Sequence, residues 1–278
     1  MKENLQQEGD IKKQKGDYWS RPGAGTAYEA GISSPNGTIQ IKNRVEQEIV
    51  LRNANGFILD AGTGTGRFAI ALAKNTGNSV TALDYSLEML AVNRELSSRE
   101  GINNIEYVQG DIENMKFPSD RFDSVVSITV VRHFPEFKKI LQEYTRVLKP
   151  GGRIIFEMCS GDHMEAANRL IPKFGVKYNT VNFENYEVEI TRNELISYLN
   201  TIGIDIIEIF PYDFLNNNCF LKIISISAFG YKVMRKFLDY LFRLKTLQAL
   251  LVKAELSVLK KLPTSLSYNF MIIGSKRH

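Results

Sequence analysis

"ILDAGTGTGRFAIALA", Ile58 to Ala73, decides the reading of this chain. A short apolar run ends on Asp60. Gly62, Gly64 and Gly66 then alternate with threonines, and a helical pattern begins at Arg67. The order is buried strand, tight turn, helix. Glycine in such a turn lets the backbone bend sharply and come close to a ligand, because no Cβ intervenes. In an open parallel sheet, ligands lie beyond the carboxyl ends of the strands. The turn is therefore expected to touch a ligand.

The residues around it narrow the ligand. A dinucleotide fingerprint, GxGxxG, needs its third glycine where this chain has Arg67. Asp60 beside the turn would repel a phosphate but suits a ligand with an ammonium group. Asp84 closes the next strand and can accept hydrogen bonds from both ribose hydroxyls. Together they favour a nucleoside with a free ribose and an amino-acid tail.

Strands and helices alternate outward from this stretch. Strands are expected at 56–60, 79–84, 104–110, 122–128 and 151–159, and helices at 67–75, 86–100 and 135–149, with Ser86 as a cap. That rhythm predicts a doubly wound, mostly parallel sheet with helices on both faces. Residues 160–190 break it and read as an insertion. A helix at 192–203, a strand at 205–214, a long amphipathic helical region at 219–262 and a closing strand at 267–277 follow. Residues 38–53 have helical spacing. Residues 1–17 are polar and charged, a composition expected to stay disordered.

Four segments carry a resemblance: "ILDAGTGTGRF", "VTALDYSLEML", "YVQGDIENMKFPSDRFDSVVS" and "RVLKPGGRIIF". In this order and spacing, the stretch from Phe57 to Cys159 resembles a Rossmann-type S-adenosylmethionine-dependent methyltransferase of the type 11 group. The resemblance implies a seven-stranded sheet with an antiparallel last strand, and S-adenosylmethionine as cofactor. It implies a methyltransferase domain over 51–278, carrying the insertions at 160–190 and 219–262, preceded by an N-terminal and lid segment, 1–50. That family joins its last two strands by a short hairpin, so the helical insertion departs from the pattern.

The resemblance also distributes roles. Asp60 and the turn Gly62, Thr63, Gly64 and Gly66 would hold the methionine tail. Asp84 would take the ribose, and Tyr85 or Met89 would pack on the adenine. Asp111, with Gly110 and the Ile112 backbone beside it, would accept from the adenine amine. Ser127 would place its carbonyl near the methionine amine. Tyr18, Trp19, Arg21 and Tyr28 either form a lid, with Arg21 reaching the methionine carboxylate, or anchor the N-terminal segment.

Methyl transfer needs alignment above all, and sometimes a base. His133, in "ITVVRHFPEF", is the candidate base, and a loop-shaping role is the alternative. Its neighbour Arg132 is expected to face solvent, as is His163. Cys159 and Cys219 read as buried small residues. They form no CxxC or Cys/His cluster, so no metal site is expected.

The chain has 278 residues and a net charge of +4. Between Tyr231 and Leu262 stand eight Lys and Arg against two acids, so the basicity is local. Apolar residues at 234, 237, 238, 241, 244, 247, 251, 256 and 259 predict one continuous helical stripe there. That region either packs on the sheet with a solvated basic face or meets anionic lipid. The N-terminus has no signal-peptide pattern and no run is apolar enough to span a bilayer, which makes the cytoplasm the default, with peripheral membrane contact through 231–262.

These readings converge on methyl transfer to a small-molecule or lipid-linked acceptor. An RNA or protein methyltransferase is the first alternative. Nucleic acid is disfavoured because "SITVVRHF" lacks an aromatic–proline motif and no RNA-binding module is evident. A non-catalytic cofactor-binding protein of the same fold is the second. A dehydrogenase is disfavoured by Arg67.

Overall fold

The computed structural model describes residues 2–170, 187–214 and 228–278. Eight strands form one mixed sheet: β1 (Phe57–Ala61), β2 (Ser79–Asp84), β3 (Ile105–Gln109), β4 (Phe122–Ser127), β5 (Leu148–Ser160), β6 (Glu189–Ile190), β7 (Ile204–Tyr212) and β8 (Asn269–Lys276). Their order is β3-β2-β1-β4-β5-β8-β7, with the two-residue β6 beside β5. β1 to β5 pair in parallel, and β8 lies antiparallel between β5 and β7. This is the expected doubly wound sheet, with β6 as an addition.

The central strands are apolar because both faces are covered. Leu59, Val125 and Ile154 enter one core, while their neighbours Ile58, Val126 and Ile155 enter the other. All six are fully buried, each contributing about 1.5–3 kcal/mol. Sequence order reverses between β1 and β4: the chain steps outward to β2 and β3, then returns to the far side of β1. A crevice opens at such a switch point, beyond the strand ends.

The helices are α1 (Lys2–Ser20), α2 (Ala24–Ile32), α3 (Gly37–Asn53), α4 (Arg67–Ala73), α5 (Leu87–Arg99), α6 (Phe137–Val147), α7 (Gly161–Leu170), α8 (Arg192–Thr201), α9 (Ala228–Leu241) and α10 (Lys245–Ser257). Ser86 caps α5 as expected, its hydroxyl accepting from Met89 N–H at 3.3 Å. Thr191 and Glu194 form a capping box on α8.

Four expectations are corrected. Residues 2–20 are helical rather than disordered. Their composition gives little intrinsic stability, and docking supplies the rest: Lys12 pairs with Asp111 and Glu113, and the Ser86 hydroxyl donates to the Trp19 carbonyl. The basic region is not one stripe. Its described part is two helices broken at residues 242–244, so Leu238, Leu241, Leu247, Leu251 and Leu256 pack inward while Phe237 and Leu244 face out. His163 is buried, its Nδ1 3.1 Å from the Ser265 carbonyl, and burial lowers its pKa. Arg132 is buried too, against Glu157, Glu187 and the Asn269 side chain. Cys159 is buried as expected, and Cys219 lies outside the described residues.

Candidate active site

The first turn is built by its own acid. Gly66 occupies the N-cap of α4 at φ +92 and has no side chain to cap with. Asp60 takes over, one carboxylate oxygen accepting from Thr63 Oγ1 at 2.7 Å and from Ala69 N–H at 3.0 Å. Burial pushes its pKa up to about 6 despite those two donors. Gly62 sits at φ +74, and a Cβ there would stand 2.6 Å from Val130 Cγ2. The turn is therefore held against the loop after β4 and leaves no room for a side chain. Arg67 is half-buried against Glu46 and Asn43 and ties the start of α4 to α3.

Asp84 closes β2. Its Oδ2 accepts from Gly64 N–H at 2.8 Å and its Oδ1 from Ser86 N–H at 2.9 Å. These bonds fix the carboxylate and leave lone pairs over; burial raises its pKa. Asp111 follows β3. Burial would raise it as well, but the Lys12 ammonium at 2.8 Å and the Glu113 N–H hold it below the usual carboxylate range.

A cavity of 410 Å³ lies over these strand ends. Gly62, Gly64, Asp84, Tyr85, Met89, Gly110, Asp111 and Ile112 line it, as does His133. Val130 and the strained Thr129, at φ +63, form the side toward β4. Lys12, Lys15, Gly16 and Trp19 of α1 also line the cavity, as does Tyr28 of α2. Eight of the residues singled out for cofactor contact thus meet in one place, together with the candidate base. His133 Nδ1 lies 3.4 Å from Lys15 Nζ.

Other expected residues are placed elsewhere. The Asp60 side chain serves its own turn. Thr63 bonds Asp60 and the Asn93 amide, and Gly66 packs on Asn93, where a Cβ would be 2.2 Å from Oδ1. Ser127 is buried, its hydroxyl on the Ala61 carbonyl and the Tyr144 phenol. Arg21 stacks over Tyr18 with its guanidinium 4.0 Å from the ring centre, and lines a second cavity. The cations facing the first cavity are α1 lysines, which the expectation of a disordered segment had removed from view.

The second cavity, 390 Å³, abuts the first. They share Trp19, Tyr28 and Thr129. Tyr18, Arg21, Lys42, Glu46 and Arg67 also line it. Lys42 is largely buried and has Glu46 as its ion-pair partner, at 3.5 Å. No residue of α3 was singled out from sequence, because its spacing reads equally well as plain core packing.

Residues 59–156 match the family model described as a methyltransferase domain. Demethylmenaquinone methyltransferase of Listeria monocytogenes is 34% identical over 119 residues, 42% of this chain and 50% of that protein. Sterol 24-C-methyltransferase ERG6A of Gibberella zeae is 40% identical over 96 residues, 34% of this chain and 25% of that protein. This chain thus spans half or less of the length of the curated relatives it matches. Magnesium protoporphyrin IX methyltransferase from Synechocystis PCC 6803, solved with bound SAH, superposes with a TM-score of 0.59 at 14% identity, over 95% of this chain and 99% of that one. That last likeness is one of fold. Residues 59–156 thus match a methyltransferase domain, and the chain around them has a methyltransferase-like fold.

Proposed function

We propose that this chain binds S-adenosylmethionine in the 410 Å³ cavity and transfers its methyl group to a small-molecule or lipid-linked acceptor held in the adjoining one. One observation carries the reading. Bare backbone at Gly62, Gly64 and Gly110 and two carboxylates at neighbouring strand ends line a single cavity at the switch point. The fit is specific in kind. Asp84, fixed by two backbone N–H groups, presents remaining lone pairs suited to ribose hydroxyls. Asp111 suits the adenine amine, with Tyr85 and Met89 placed to pack on the ring.

When bound there, S-adenosylmethionine supplies a methyl group on a cationic sulfur that departs as a neutral thioether. The chain's own contribution is alignment. Trp19, Tyr28 and Thr129 form the boundary the methyl group crosses, and rigid alignment is worth roughly 7–11 kcal/mol. Of the chain's three histidines, His133 lines the cavity, which supports a role in taking a proton from an acceptor hydroxyl or acidic carbon. The names of the relatives, a demethylmenaquinone and a sterol methyltransferase, support an apolar acceptor. Tyr18, Trp19 and Tyr28 offer it aromatic walls.

The test has two parts. Calorimetry with S-adenosylhomocysteine should give micromolar or tighter binding that NAD does not compete for. Label from methyl-tritiated cofactor should then pass into a lipid extract or a quinone panel. Binding without transfer to any acceptor would move the reading to a cofactor-binding protein of the same fold. Absence of binding would end it.

A further inference from the structure

The insertion between β7 and β8 leaves large apolar side chains uncovered. Val233, Phe237 and Tyr240 recur at helical spacing on α9, so they share one face, and Leu244 in the break that follows is exposed as well. Phe237 is 61% and Tyr240 73% exposed. Leu250 on α10 and Val258 after it are also exposed, at 62% and 65%. The opposite faces are well packed. Leu238, Leu241, Phe242, Leu247, Leu251 and Val252 join the core on the α3 side of the sheet. A Cβ at Gly37 of α3 would stand 2.5 Å from the Phe242 carbonyl carbon, so the helix pair is seated tightly on α3. The exposed face belongs to a fixed element.

The charges are sorted in the same way. Lys236, Arg243, Lys245, Lys253 and Lys261 are exposed and have no carboxylate partner among the described residues. The two acids of the pair turn inward. Asp239 accepts from the Asn36 amide at 2.9 Å and from Thr38 Oγ1 at 3.0 Å, at the start of α3. Glu255 is buried and accepts from the backbone N–H groups of Asp213 and Phe214. Among the described residues of the helix pair, these exposed side chains are thus aromatic, aliphatic and cationic.

We infer that this face docks on an anionic membrane surface, with Phe237, Tyr240 and Leu244 entering the headgroup–acyl boundary and the lysines and Arg243 meeting lipid phosphates. The composition is that of an interfacial helix: large apolar groups to bury, and long basic side chains that reach back to the headgroups. A nucleic acid would satisfy the cations but leave Leu244, Leu250 and Val258 against a charged backbone. A second copy of the chain on a two-fold axis would oppose cations to cations. Among the described residues no helix is long and apolar enough to cross a membrane, so the contact is one of surface docking. The inference does not depend on methyl transfer, though a lipid-linked acceptor would give the two a common purpose.

Co-sedimentation of the full chain tests it, using vesicles of phosphatidylcholine alone and of phosphatidylcholine with phosphatidylglycerol. The protein should pellet with the second and not the first, and be released by salt. Lys236→Gln with Lys253→Gln should weaken binding on the order of tenfold or more. Phe237→Ser with Tyr240→Ser should do the same. Circular dichroism and S-adenosylhomocysteine affinity should stay unchanged in both double variants. Three results would each overturn the inference. One is failure of the unaltered chain to pellet with anionic vesicles. Another is binding indifferent to both double variants. The last is a dimer in sedimentation equilibrium that Phe237→Ser dissolves, with no vesicle binding.

Discussion

Lys12 of α1 donates to the Asp111 carboxylate at 2.8 Å, across 99 positions of sequence. The same ammonium lies 2.9 Å from Glu113. One lysine thus pins the first helix across the cavity, on the carboxylate we propose for the adenine end of the cofactor. Both partners are about a third exposed, so the pair is worth at most about 1 kcal/mol. Lys12→Ala should raise the dissociation rate of S-adenosylhomocysteine by up to about fivefold, read by stopped-flow displacement. An unchanged rate would show that α1 does not gate the cavity.

Asp84 holds the Gly64 N–H and Ser86 N–H while facing the cavity. Asp84→Ala should weaken cofactor binding at least tenfold, since charge-assisted hydrogen bonds contribute about 1.5–3 kcal/mol each. Asp84→Asn keeps an acceptor and the shape, and should lose less. Equal calorimetric affinity in all three proteins would remove Asp84 from the ribose.

Gly62→Ala combines a left-handed backbone with a clash on Val130. The backbone alone should cost about 1–2 kcal/mol. Adding Val130→Ala should restore only the part due to the clash. Denaturant midpoints of the two variants measure the split.

His133→Ala should lower kcat by about 10²-fold or more if the imidazole takes the acceptor's proton, with KM for S-adenosylmethionine unchanged. The pH–rate profile should lose the limb that reports the base. A variant with full kcat would assign His133 to shaping its loop.

Asp213 is pushed up to about 7 by burial, and Glu255 to about 8 by burial and by the Asp213 charge. Lys42 opposes the shift at Asp213, while Glu46 and Glu157 add to it. Above their ordinary values of 3.8 and 4.5, the unfolded chain has released these protons and the folded chain still holds them. Their contribution to stability is therefore complete at low pH and is lost as pH rises toward about 8. Glu255→Gln should flatten that decline, as denaturant midpoints across this range would show.

The sheet was legible in the sequence because buried parallel strands must be apolar on both faces, and β1, β2 and β4 are each followed by a helix of its own period. The glycine turn was legible for a similar reason: the left-handed backbone at Gly62 and Gly66 and the close packing on Val130 and Asn93 leave glycine as the residue that fits. Asp84 could be chosen because a strand end at a switch point faces the crevice, and Asp111 through the resemblance carried by "YVQGDIENMKFPSDRFDSVVS". Asp60 shows where that logic stopped. An acid at a strand end can face the ligand or cap its own helix, and the choice depended on Gly66 having no side chain to offer.

The sequence by itself determined the strand and helix order, the glycine turn and the carboxylates at the strand ends, since each follows from local periodicity and backbone sterics. Only the tertiary structure decided that α1 lies across the cavity, that Arg132 and His163 are buried, and that the basic helices expose Phe237 and Tyr240. Those outcomes depend on partners far away in sequence, whose contacts offset desolvation and ordering costs that no local pattern records.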